Sequence, residues 1–119
     1  MKNTTIPAAL VGLAISFCCF TTVASAQDKD GKTVFAEQGC DQCHAVSTAG
    51  IEAKTKSEQE KGPDLEGIGD RLKAKPMMKY LKKAGDREGK SHTKPFKGSD
   101  EELQVLVDWL LEQKAEGDR

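Results

Sequence analysis

Cys40-Asp41-Gln42-Cys43-His44 is the stretch on which the reading of this chain turns. Two thiols three residues apart on one helical turn face the same way, so each can form a thioether with one of the two vinyl groups of a single porphyrin. The histidine that follows is then held beneath the iron. A neutral imidazole there serves as proximal ligand, provided its second ring nitrogen is fixed by a hydrogen bond. Cys-x-x-Cys-His is accordingly the attachment signature of a c-type haem. Two other readings compete. A thioredoxin-like redox centre sits in a βαβ setting, and no stretch here reads as a pair of buried parallel strands. A zinc site wants four Cys or His donors with a second paired spacing, whereas beyond residue 26 the chain offers only Cys40, Cys43, His44 and His92.

The N-terminus points to export, which is where haem of this type is attached. Met1 and Lys2 give a short positive start, residues 6–23 form an apolar run broken only by small or hydroxylated residues and Pro7, and Ala24-Ser25-Ala26 supplies a small-x-small cleavage site. A cleaved secretory signal over residues 1–26 is expected, leaving a single domain over residues 27–119 with no membrane anchor. Cys18 and Cys19 would leave with the signal. A lipoprotein would want a small residue before its cysteine, and Phe17 precedes Cys18.

One Trp and one Tyr make a thin core for so small a domain. A haem enclosed by helices would supply the missing apolar surface, so the chain without it should fold poorly, as metal-dependent domains do.

The whole chain carries 18 basic and 19 acidic side chains, and the expected signal removes only Lys2 from that balance. The distribution is uneven. Residues 71–97 hold Arg71, Lys73, Lys75, Lys79, Lys82, Lys83, Arg87, Lys90, Lys94 and Lys97 against Asp86 and Glu88 alone; from Asp100 onward seven acids face Lys114 and Arg119. Such a run reads either as a solvated helix face or as a docking surface for an acidic redox partner, since complementary charge speeds encounter while leaving the complex short-lived. Nucleic acid is not an expected target for an exported chain of this net charge.

Helices and loops account for the periodicity, without strand alternation. Asp30 is placed to cap a short helix through Val34 and Phe35 that ends at Gly39. Residues 45–61 read as a loop with one helical turn near residues 52–60. Pro76 is placed to open a helix carrying Met77, Met78, Tyr80, Leu81 and Ala84, with Gly85 closing it. The last helix is the clearest: Ser99 and Glu102 form a capping box, and Leu103, Leu106, Val107, Leu110 and Leu111 recur at helical spacing. Phe35 is the natural partner for Trp109.

At these residues the chain resembles the small monohaem class I cytochromes c. Gly31-x-x-x-Phe35 is similar to that family's N-terminal helix, where a glycine lets the C-terminal helix cross closely; Leu106 and Trp109 occupy the matching places on the last helix, with Trp in the usual tyrosine position. Gly62-Pro63-Asp64-Leu65 resembles the family's Gly-Pro-x-Leu turn. The resemblance implies an all-α fold wrapped round one haem c, bound through Cys40 and Cys43. It also implies that the Pro63 carbonyl accepts the N–H of His44 and that Leu65 packs on the ring.

The chain departs from the family in two places. The loop between His44 and Gly62 is longer than in the smaller members. The segment before the last helix, where the family carries its distal methionine, reads Ser91-His92-Thr93-Lys94-Pro95-Phe96. His92 lies 17 residues before Trp109, about the family's spacing from distal methionine to helix aromatic. The sixth ligand is therefore assigned to His92 ahead of Met78 or Met77, which a helix face accounts for, with an open site as the third reading. The expected function is one-electron carriage in the periplasm by a monomer meeting redox partners, and not substrate turnover, since no convergent acid–base pair accompanies the ligands. The alternatives are a haem enzyme or gas sensor with an open distal site, and a haem subunit of a larger respiratory or sulfur-oxidising complex.

Overall fold

Asp30 stands in extended conformation and its carboxylate accepts the backbone N–H of Thr33 at 2.6 Å, which satisfies one of the orphan donors at a helix start. The computed structural model describes residues 29–117, and from this cap it runs α1 (Gly31–Glu37), α2 (Ile68–Arg71), α3 (Ala74–Leu81) and α4 (Asp100–Leu111). The expected export signal, residues 1–26, lies outside the described residues. No strand occurs among them, only two isolated bridges, Val46 with Ile51 and Arg87 with Lys90. None of their helices is long and apolar enough to cross a membrane.

The first and last helices cross at Gly31. A Cβ there would collide with Trp109 and come within 2.7 Å of the Val105 carbonyl, so only glycine permits this approach. Next to the crossing Phe35 meets Trp109, ring centroids 5.5 Å apart and tilted by 54°, a favourable aromatic geometry. The capping box of α4 is complete: Ser99 Oγ accepts Glu102 N–H at 3.1 Å and Glu102 Oε2 accepts Ser99 N–H at 3.0 Å. Its apolar stripe, Leu103, Leu106, Val107 and Leu110, closes over Val34, Phe35, Val46, Ile68 and Met77 to form the core.

Two segments differ from the sequence reading. The helical turn expected near residues 52–60 forms only at the end of that segment, where Glu60 N–H (3.2 Å) and Lys61 N–H (3.0 Å) both bond to the Ser57 carbonyl. Before that turn the strap is spent on the motif beneath it, Lys54 N–H bonding to the Asp41 carbonyl at 2.8 Å and Thr55 N–H to that of Gln42 at 2.9 Å, which holds it extended. Lys54 Nζ adds an ion pair to the buried Asp41 carboxylate at 2.7 Å. The expected bounds of α3 also move. The helix starts two residues before Pro76, which is tolerated because first-turn N–H groups have no helical acceptor to lose.

The same helix stops before Ala84 and without Gly85. Lys83 takes the left-handed conformation, φ 56°, and the bonds Lys83 N–H to Tyr80 O (3.1 Å) and Ala84 N–H to Lys79 O (2.8 Å) form a Schellman stop. Glycine is the residue that sits there without a Cβ penalty of about 1–2 kcal/mol. Lys83→Gly is therefore expected to stabilise the holoprotein, net by about 0.5–1 kcal/mol once the glycine's greater unfolded-state entropy is set against it. A higher guanidinium midpoint at unchanged slope is the check; a lower midpoint would show that Lys83 makes compensating contacts.

Candidate haem site

The motif follows α1 directly as a 3-10 turn, Cys40–Gln42, closed by Cys43 N–H and His44 N–H both bonding to the Cys40 carbonyl, at 3.2 and 2.9 Å. Cys40 and Cys43 are free, half-buried thiols. Burial, followed by the charge of Asp41, pushes the Cys40 thiol up to about 11. A thioredoxin-type pair needs the opposite, a thiol lowered toward neutral pH so that the thiolate can attack.

His44 is positioned from the opposite side by the turn at residues 62–65. Gly62 N–H bonds to the Cys43 carbonyl at 2.8 Å and Leu65 N–H to the Ala45 carbonyl at 2.9 Å, so the two segments lie together. Asp64 locks the turn by accepting Ser47 N–H at 3.1 Å and Glu66 N–H at 2.9 Å, as well as the Ser47 hydroxyl. A side chain at Gly62 would run into the His44 ring. With the turn fixed, the Pro63 carbonyl lies 2.8 Å from His44 Nδ1. A carbonyl can only accept, so Nδ1 carries the proton and Nε2 is the lone-pair donor. Burial, only partly opposed by the Pro63 bond, holds His44 below the ordinary imidazole range, and the ring is neutral at pH 7.

His92 repeats this arrangement on the far side. Its Nδ1 lies 2.5 Å from the Lys94 carbonyl, which again leaves Nε2 as the donor. The His44 and His92 rings have centroids 6.1 Å apart and planes within 14° of each other. Two imidazoles bound on opposite sides of one metal ion, with bonds of about 2 Å and each ring centre about 1.1 Å behind its nitrogen, have centroids roughly 6.2 Å apart. The residues present thus fit an iron with two imidazole ligands, beside a Cys40-x-x-Cys43 pair whose sequence spacing suits thioether attachment. Tyr80 of α3 packs nearly perpendicular on the His92 ring, centroids 5.2 Å apart at 76°.

The methionines weighed as ligands sit elsewhere in this scheme. Met77 is 3 % exposed and belongs to the core, and Met78 is half-buried against it. Leu65 is half-buried and packs on the same core, while Pro63 is exposed. Three contributors left no motif in the sequence: Asp64 with Ser47, the Asp41–Lys54 pair, and Tyr80. Each works through a partner distant along the chain.

A family model for cytochrome c matches residues 29–114. Neither the curated proteins nor the solved structures gave a significant match to the chain. With that match spanning most of its length, around an all-α fold and a Cys40-x-x-Cys43-His44 motif, the chain belongs to the cytochrome c family and carries one covalently attached c-type haem, the group through which this family transfers electrons.

Proposed function

We propose that the protein is a periplasmic one-electron carrier whose haem is ligated by His44 and His92. The observation that carries this reading is the pair of near-parallel imidazoles 6.1 Å apart, each with Nδ1 committed to a backbone carbonyl. The bound haem supplies the ferric/ferrous couple. The chain would do the rest: Cys40 and Cys43 would hold the group by thioethers, Pro63 orients His44, Leu65 would wall the ring, and His44 with His92 as ligands would close the iron to small molecules. The periplasmic assignment rests on the export signal read at residues 1–26. Carriage is favoured over catalysis because a vacant axial site, the requirement of a haem enzyme or gas sensor, is what His92 removes.

The ferric absorption spectrum tests this directly. A low-spin spectrum without the red methionine-to-iron charge-transfer band is expected, with a reversible one-electron titration at a potential below that of His/Met relatives, because imidazole favours Fe(II) less than thioether does. Rapid CO binding by the reduced protein would instead indicate an enzyme or sensor, and elution of the native protein with other subunits would make it part of a larger complex.

The basic stretch is read as the docking surface for an acidic partner. All ten of its basic side chains except Arg87 are exposed, and Lys82 is paired with Asp100 at 2.5 Å. Lys75, Lys79 and Lys90 are the better probes. Reversing these three to Glu is expected to slow electron transfer to an acidic partner by tenfold or more at low salt and to flatten its salt dependence, since exposed charges act over only about 8 Å at physiological ionic strength. Stopped-flow rates across a salt series read this; equal rates at low salt would reduce the stretch to a solvated face.

A further inference from the structure

A ligand ring bound through one nitrogen is free to rotate about that bond unless the protein stops it, and this chain stops both rings. On His44 the Pro63 carbonyl and the side-chain-free Gly62 fix the plane. On His92 the Lys94 carbonyl alone would act as a single tether, within the ring's own segment. The second contact comes from α3, where the ring of Tyr80 stands at 76° to that of His92, in the edge-to-face geometry aromatic pairs prefer. That contact has a fixed base. Phe96 N–H bonds to the Leu81 carbonyl at 2.8 Å, tying the segment that carries His92 to the end of the helix that carries Tyr80, and the Schellman bonds after Leu81 fix that end. We propose that Tyr80 is the positioning residue that sets the plane of the distal imidazole, holding the two axial rings near-parallel. This rests on the reading of His92 as the distal ligand and adds to it what the ring angle of 14° implies.

The angle has a spectroscopic consequence. Parallel imidazoles both interact with the same iron d orbital and separate it from its partner, whereas crossed rings leave the two nearly degenerate. A ferric centre with parallel rings gives a rhombic low-spin EPR spectrum with three resolved g values; crossed rings give one dominant, strongly anisotropic low-field feature. Tyr80 acts through its ring, so a phenyl ring should serve in its place while an aliphatic side chain should not.

The experiment is frozen-solution EPR of the purified ferric holoprotein, wild type, Tyr80→Phe and Tyr80→Leu, with optical spectra of the same samples. The expected result is a rhombic spectrum for wild type and Tyr80→Phe, and a shift of Tyr80→Leu toward the anisotropic form while it remains low-spin and six-coordinate. A strongly anisotropic wild-type spectrum, or Tyr80→Leu with g values equal to wild type, would overturn the proposal while leaving the ligand assignment intact. A methionine charge-transfer band or a high-spin ferric haem in the wild type would overturn the ligand assignment, and this proposal with it. Should Tyr80→Leu fail to fold, the wild-type spectrum still decides the ring angle, and Tyr80→Phe with altered g values would reject the ring contact as the cause.

Discussion

Replacing Cys40 and Cys43 together with Ala is expected to give a chain that carries no covalent haem and holds no stable fold. The core of the described residues contains only nine buried apolar side chains, Phe35 the one aromatic among them. Around it Leu65, Leu72, Met78, Leu81 and Phe96 are left partly exposed. Full burial of such a side chain is worth about 1.5–3 kcal/mol, so five of them half-covered leave on the order of 5 kcal/mol unrealised unless an apolar group completes the enclosure. That is comparable with the whole stability of a small domain, about 5–15 kcal/mol. His44 and His92 would not substitute for the thioethers, since in an unfolded chain nothing brings the two rings together. Circular dichroism and yield of exported protein are the checks. Recovery of the double variant as folded, haem-free protein in normal yield would show that the haem is not part of the core.

The sequence was most legible where the controlling interactions are local. The capping box of Ser99 and Glu102, the stripe of α4 and the Asp30 cap of α1 each lie within one or two turns, and periodicity reports them directly. Gly31 and Trp109 are distant in sequence, yet a glycine facing an aromatic on another helix is itself a signature of close crossing. The extended part of the strap, through Lys54 and Thr55, could not be read, because its conformation is decided by carbonyls of Asp41 and Gln42 that only the folded chain places beneath it. Four-residue α2 is too short to show a period. The end of α3 misled for another reason: Lys83 occupies a left-handed position where sequence reasoning looks for glycine, two residues on.

The site divides along the same line. Cys40, Cys43 and His44 are contiguous and carry their chemistry in their spacing, and Gly62-Pro63 is a compact turn whose carbonyl does lie on His44. The knot of Asp64 with Ser47, the clamp of Lys54 on Asp41 and the ring of Tyr80 against His92 are polar or aromatic contacts between separate segments. A charged or hydroxylated residue in a loop looks the same in sequence whether or not it has such a partner.

His92→Ala is expected to convert a six-coordinate, low-spin haem into a high-spin one that binds CO quickly once reduced. The His92 ring lies near-parallel to that of His44 with centroids 6.1 Å apart, the separation two imidazoles on one metal ion would take, and its Nδ1 bond to the Lys94 carbonyl would fix the tautomer a ligand needs. Met77→Ala should keep the low-spin spectrum and lose packing energy instead, about 2–5 kcal/mol for a methionine buried in the core. Met78→Ala should cost less, because that side chain is only partly buried. Lys94→Ala should also stay low-spin, since Lys94 contributes its backbone carbonyl and not its amine. His92→Met should restore a sixth ligand and raise the reduction potential, because thioether favours Fe(II) relative to imidazole. The set is discriminating as a whole: loss of low-spin character in the Met78 or Lys94 variant, together with its retention in His92→Ala, would move the distal ligand and remove the basis for a lowered potential.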